Sequence, residues 1–289
     1  MNIPLHPSPD TMRRVLLEQG VPLLLTAVVF AVLWAVLHAE VLALNAFGHE
    51  DILLKILAPD VLVGMSIYLK TSIDFAIFIG HLMRTNPGWK NRIAIECGTA
   101  AGNGLGTVVI LAIWNFFRRI DWLLALMVVL ASLVLLKLAE EGLEHAQDEK
   151  KRYPALLRKT VSVCKKILHV INGYIDPVLG KLMPHASLNS TAQPSWRSLL
   201  VFSGTIPFIL GLDDFAGYVP LFSIVHVYGF ALGVLLGHMV LNICLFLSPD
   251  STIRLVKQPI ISFLGSLAFV GLAVWGIHEA VKIVGSAYF

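Results

Sequence analysis

Two stretches decide the fold: TSIDFAIFIG at residues 71–80 and GLDDFAGYVP at 211–220. Shifted by 140 positions they overlie each other, and Asp74, Phe75 and Ala76 meet Asp214, Phe215 and Ala216. The register extends upstream, where Val61 meets Val201 and Gly64 meets Gly204. A second match follows at an offset of 131, where GTAAGNGLGT at 98–107 overlies GFALGVLLGH at 229–238. There Gly98, Ala100, Gly102, Leu105 and Gly106 meet Gly229, Ala231, Gly233, Leu236 and Gly237. The change of offset reflects a nine-residue longer loop in the first half. Self-similarity at a fixed offset marks an internal repeat. A looser third match brings Glu140 or Glu141 near Glu279.

The composition says where such a repeat lives. Of 289 residues, 56% are hydrophobic and 14% charged, against roughly 25% charged in an ordinary soluble domain. The mean hydropathy is +0.76. These values exclude a soluble enzyme, a disordered chain and a nucleic-acid binder. The net charge of +3 implies no acidic partner by itself. Cys97, Cys164 and Cys244 form no CxxC pair, so no disulfide framework, zinc ribbon or thiol-redox motif is present.

A transmembrane helix needs about 20 mostly apolar residues. Seven stretches qualify: 21–38, 61–83, 93–117, 122–139, 199–220, 222–247 and 260–283. The first has too long a hydrophobic run, and too long a preceding segment, for a signal peptide. Orientation follows the Lys/Arg excess in the loops. Residues 84–92 carry Arg84, Lys90 and Arg92 without an acid, and 146–197 carries nine basic residues against three acidic ones. The N-terminal segment holds Arg13 and Arg14, whereas 39–59 holds Glu40, Glu50 and Asp51 against Lys55. The chain is therefore expected to be a multi-pass plasma (inner) membrane protein with its N-terminus cytoplasmic and its C-terminus outside. Arg118 and Arg119, in a short outer turn, run against this pattern.

Three spans per copy invert the second copy in the membrane, an architecture common among secondary transporters. The expected fold is an all-α polytopic membrane protein with about seven transmembrane helices. Residues 1–20 form a cytoplasmic segment, 21–38 an extra helix, 60–145 repeat 1 and 198–289 repeat 2. Residues 146–197 form a basic cytoplasmic linker. Within it Leu157, Val161, Cys164, Leu168 and Ile171 recur at helical spacing, with Lys159, Lys165 and Lys166 off that face. Such a helix lies on an anionic membrane surface or tethers the two halves. The stretch PHASLNSTAQPSW at 184–196 reads as flexible.

Ionisable groups inside a bilayer are functional candidates by default. Asp74 and Asp214 sit well inside their spans at equivalent positions, and Asp213 adds a third carboxylate. Pro207, Gly211, Gly217 and Pro220 surround the second pair, and such residues free backbone carbonyls. Carboxylates with freed carbonyls suit a hard divalent cation such as Mg, Mn or Ca. Lys70 lies one turn from Asp74 and either neutralises it or helps release a bound ion. Glu279 and Glu141 are candidate second contributors, and Glu141 with His145 also reads as a solvated helix end. Asn103, and the i, i+4 pair His238 and Asn242, are candidate accessory groups; an imidazole widens the choice to Zn, Cd, Co or Ni. Glu96, Lys137 and Lys282 lie near span ends, where they snorkel to the interface. Gly98, Gly102 and Gly106 form a tandem GxxxG, as do Gly229, Gly233 and Gly237. Small residues at this spacing let helices approach closely, so the third and sixth spans are expected to pack about the pseudo-symmetry axis. No HExxH, dinucleotide fingerprint or Walker A sequence is present.

The segment TSIDFAIFIGHLMRTNPGWKNRIAIECGTAAGNGL resembles TerC-type and cadmium-resistance-type proteins of the LysE superfamily. In those proteins an acidic motif ends a span, a basic loop follows, and a Gly/Ala-rich span comes next. GLDDFAGYVP resembles the acidic motif of their second half. The likeness covers about 60–140 and 199–283. It implies two inverted three-span repeats, export of small solutes, and metal-handling motifs that map onto Asp74 and onto Asp213 and Asp214. Phe75 stands where an asparagine often follows the TerC aspartate, and the Glu-x-Gly-Asp form of the manganese/calcium branch is absent.

The sequence thus reads as a non-enzymatic secondary transporter exporting a divalent metal cation. No cofactor is expected to be bound permanently, and the cation is cargo. The partners are the lipid bilayer and the transported ion or solute, and a homo-oligomer is compatible with this reading. The alternatives are an exporter of a small organic solute such as an amino acid, or a non-transporting membrane scaffold or assembly protein.

Overall fold

The computed structural model of the chain describes residues 20–47, 51–148, 162–173, 195–256 and 258–288. The N-terminal segment before residue 20, and most of the 184–196 stretch, lie outside them. All regular structure among the described residues is helical. The helices are α1 (Val21–Phe47), α2 (Ala58–Thr71), α3 (Ile73–Thr85), α4 (Trp89–Phe117) and α5 (Asp121–Asp148). They continue with α6 (162–173), α7 (Trp196–Tyr218), α8 (Val227–Leu247), α9 (Pro249–Val256) and α10 (Pro259–Tyr288). A 3-10 turn, Val219–Ser223, joins α7 to α8.

Among the described residues five helices are long and apolar enough to cross a membrane: α1, α4, α5, α8 and α10. The α2 and α3 pair makes a sixth if taken as one bent span. The chain is thus a polytopic membrane protein by helix length and composition. The expected span 199–220 appears as the helix α7, and 222–226 falls in the 3-10 turn and its exit rather than in a span. Apolar side chains left exposed run in a stripe along α1 (Leu24, Val28, Val32, Val36). A similar face on α10 carries Leu264, Leu267, Val274 and Val281. Contiguous apolar surface of this kind suits lipid, not water.

The bend between α2 and α3 has a local cause. The Thr71 hydroxyl donates to the carbonyls of Ile67 and Tyr68. Ser72 then leaves the helical region at φ −81°, ψ 22°. Hydroxyls bonding back to the preceding turn bend helices, and the two pieces meet at 64°. Asp74 is the second residue of α3, immediately past this break.

Three helix pairings carry most of the packing: α5 with α10, α4 with α7, and α2 with α8. The glycines show why. A Cβ on Gly102 would strike the carbonyl of Gly204, and one on Gly98 the carbonyl of Leu200. On the other side, a Cβ on Gly233 would strike the carbonyl of Val61, and one on Gly64 that of Phe230. These helices pack backbone to backbone, where only glycine fits. The expectation that the third and sixth spans pack chiefly on each other is corrected: α4 and α8 meet only slightly. α4 packs instead on α7, and α8 on α2. GxxxG specifies close approach but not the partner. Gly106 meets nothing within 4 Å where its Cβ would stand, so it has no packing role.

The linker helix also departs from a bare surface helix. In α6 Leu168 is buried, His169 Nδ1 lies 2.8 Å from Glu140, and Asn172 Nδ2 donates to Glu140 at 2.6 Å and to the Leu136 carbonyl at 3.2 Å. It therefore docks on α5 through Leu168 and Asn172. Val163, Ile167 and Val170 remain exposed on its outer side. Leu157 and Val161 lie outside the described residues.

Candidate functional site

The acidic residues singled out from sequence are held by the backbone at three places. Asp74 opens α3 beside the break, and Asp213 and Asp214 lie in the last two turns of α7. Their side chains lie outside the described set. Glu279 is half-buried on α10 and pairs with Lys282 at 3.7 Å. Lys282 also lies 5.8 Å from the Trp275 ring centroid. Glu141 is exposed on α5. Among the described residues no three His, Cys, Asp or Glu side chains are gathered closely enough to hold a metal. Lys70 turns toward the pairing of α5 with α10. Its Nζ donates to the Ser262 carbonyl at 3.4 Å and lies 5.7 Å from the Phe269 ring centroid. A Cβ on Gly265 would collide with its stem.

The accessory residues prove to be parts of one buried network. His238 of α8 is 2% exposed, and its Nδ1 lies 2.7 Å from Asn103 Nδ2 of α4 and 3.0 Å from the Tyr68 hydroxyl of α2. Asn103 Nδ2 also donates to that hydroxyl at 3.3 Å. On the far side of the ring, His238 Nε2 lies 3.1 Å from Asn242 Nδ2. Asn242 Nδ2 in turn donates to Glu96 Oε2 at 2.8 Å. The Phe75 ring of α3 lies 6.0 Å from the His238 ring. Thr26 of α1, whose hydroxyl donates to the Pro22 carbonyl at 3.0 Å, stands beside the Glu96 end. The network thus joins α1, α2, α3, α4 and α8. Tyr68 and Phe75 place it on both sides of the α2/α3 break.

Glu96 corrects the sequence reading most sharply. It was expected to snorkel from a span end, but it is 0% exposed. Two turns into α4 it is covered by α1 and α8, so its side chain has no route to the interface. Its Oε1 and the Oδ1 of Asn242 are buried without a hydrogen-bond partner among the described residues. No Lys or Arg among them pairs with it. An isolated carboxylate in such surroundings is expensive to keep ionised. Sequence offered a partial signal. Asn103 lies seven residues after Glu96, on the same face of α4, and His238 with Asn242 share a face of α8. Tyr68 carried no signal and was missed.

A second polar cluster ties the opposite end of α8 to the first helices. The Trp34 indole donates to the Tyr228 hydroxyl at 2.8 Å, and His38 Nδ1 lies 3.1 Å from it. His226, just before α8, lies 2.9 Å from Asp60. A comparison with protein-family models, with curated proteins and with solved structures finds no match to this chain.

Proposed function

We propose that the chain is a secondary transporter built from two inverted three-span repeats, exporting a divalent metal cation. The observation that carries this reading is the helix pairing. Exchange of the two halves converts the α2–α8 pairing into that of α7 with α4, and leaves α5 with α10 unchanged. A pseudo-two-fold axis in the membrane plane makes that pattern, and such folds bind their cargo at the repeat interface. The break beside Asp74 is the discontinuous helix that such sites use. Asp74, Asp213 and Asp214 supply hard oxygen donors suited to a divalent cation. The likeness to TerC-type and cadmium-resistance-type proteins favours the same cargo. α7 is the remaining span, and the basic loops put the N-terminus in the cytoplasm and the C-terminus outside.

Thermal stability of the purified protein in detergent tests the reading, with Mg, Mn, Ca, Co, Zn and Cd added in turn. A ligand at a hundredfold excess over its Kd stabilises by about 2.7 kcal/mol. The expected result is stabilisation by one or two ions, lost in both Asp74→Asn and Asp214→Asn. A folded, monodisperse protein that responds to no ion removes the metal assignment and leaves an organic solute or a scaffold.

A further inference from the structure

The buried network has an internal accounting problem, and its solution defines a ligand. Asn103 Nδ2 and Asn242 Nδ2 each meet one nitrogen of the His238 ring. A neutral imidazole has one bare nitrogen and one N–H. One of the two amides must therefore turn its oxygen to the ring. If Asn103 turns, His238 carries its proton on Nδ1. Asn242 then donates to both His238 Nε2 and Glu96, and an ionised Glu96 is satisfied only in this arrangement. If Asn242 turns instead, His238 carries its proton on Nε2 and donates to the Asn242 oxygen. That oxygen then faces Glu96 Oε2 at the same 2.8 Å, and the contact is a hydrogen bond only when Glu96 is protonated. His238 Nδ1 is now bare and accepts from Asn103 and Tyr68. A doubly protonated ring also turns the Asn242 oxygen toward Glu96, so it cannot coexist with an ionised Glu96, and beside a protonated one it would leave an unpaired cation on a ring that is 2% exposed.

We propose that the chain from Glu96 through Asn242 and His238 to Tyr68 is a binding site for one proton, held on Glu96. The balance is simple. In sum one proton from water is added and resides on the Glu96 carboxylate; both amides rotate, and the imidazole gives up its Nδ1 proton and takes one at Nε2, a one-for-one exchange with water that leaves its own count unchanged. No other group gains or loses a proton. Uptake reverses the bond at Tyr68, which accepts from His238 in the ionised state and donates to it in the protonated one. Tyr68 is the last full turn before the α2/α3 break, and Phe75 touches the same ring just past it. The proton therefore acts on the hinge next to Asp74. As the coupling ion of a cation exporter it rests on the transport reading above, but the binding itself does not.

The groups around Glu96 can be named element by element. α1 supplies Thr26, while Glu40 stands about four turns away along that helix. α2 supplies Tyr68, and Lys70 faces α10. α4 supplies Cys97 and Arg92, whose guanidinium donates to the Phe246 carbonyl at 3.3 Å. α8 supplies His238 and Asn242. The side chains of Asp74 in α3 and of Asp213 and Asp214 in α7 lie outside the described set.

Infrared difference spectroscopy of the full chain in lipid nanodiscs, stepped in pH without added metal, tests the site. The expected result is a titrating carboxylic C=O band that is lost in Glu96→Gln, persists in Glu96→Asp, and shifts in Asn242→Ala, which removes its acceptor. Nitrogen-15 NMR of histidine should show the N–H of His238 changing nitrogen over the same pH range. A carboxylic band untouched by Glu96→Gln, or a single His238 tautomer throughout, overturns the proposal. If Glu96→Gln does not fold, the band shift in Asn242→Ala decides alone. Asp74→Asn should leave the band in place, so loss of the metal response and loss of the proton site are separately readable.

Discussion

Gly102→Ala and Gly106→Ala make a pair of substitutions that the packing of α4 should separate. Both glycines lie on α4, one turn apart, and both are buried. At Gly102 the new methyl would meet the Gly204 carbonyl, which is backbone and cannot rotate away. At Gly106 it would meet nothing within 4 Å. Overpacking of this kind costs about 1–3 kcal/mol. Replacing glycine by alanine inside a helix gains about 0.8–1 kcal/mol at either position, so that gain cancels when the two variants are compared. Gly106→Ala should therefore be more stable than the unmodified chain, and Gly102→Ala less stable than Gly106→Ala by the whole overpacking penalty. At roughly 2–4 °C per kcal/mol for a chain of comparable size, the melting temperatures should differ by at least about 2 °C. Thermal unfolding in detergent, followed by tryptophan fluorescence, reads the gap. Equal melting temperatures, or a more stable Gly102→Ala, would refute the close approach of α4 to α7.

Three further outcomes are expected. His238→Ala removes a contact from each of Tyr68, Asn103 and Asn242 at once and leaves a cavity where the ring stood, so it should cost several kcal/mol; Tyr68→Phe removes only a hydroxyl, with its bonds to His238 and Asn103, and should cost about 1–2 kcal/mol, so equal losses in a thermal melt would mean that His238 does not organise the network. Lys282→Ala should change stability by less than about 1 kcal/mol, because its partner Glu279 is reached across an exposed i, i+3 contact; a larger loss in the same melt would show a buried role for Glu279. Asn172→Ala should release α6 from α5 and speed protease cleavage in the 146–197 loop, and an unchanged cleavage rate would show that the Glu140 contact does not hold the helix.

The membrane class and the helix positions were legible because hydropathy depends only on the local run of residues. The glycine faces were legible too, since spacing alone announces a close approach. Which helix makes that approach was not, because Gly98 and Gly233 carry no feature that distinguishes one smooth partner from another. Gly106 shared the spacing but stands where the neighbouring helix has already diverged. Glu96 was misread for a related reason. Its depth was judged by distance from the span end, whereas its burial depends on Thr26 and Asn242, which come from distant parts of the chain. His238, Asn242 and Asn103 were recognised as polar outliers in apolar helices, but only the assembled bundle shows them as one system. The break at Ser72 was hidden because threonine and serine next to an aspartate also occur in continuous helices.

The crossed pairing of α2 with α8 and of α4 with α7 makes the two halves interdependent. Neither half contains the surface that its own glycines are shaped to meet. Each half expressed by itself would present bare backbone grooves to lipid, and the two fragments would recover the fold only by finding each other. The 146–197 loop then serves as a covalent guarantee of one-to-one stoichiometry between two pieces that assemble like separate subunits.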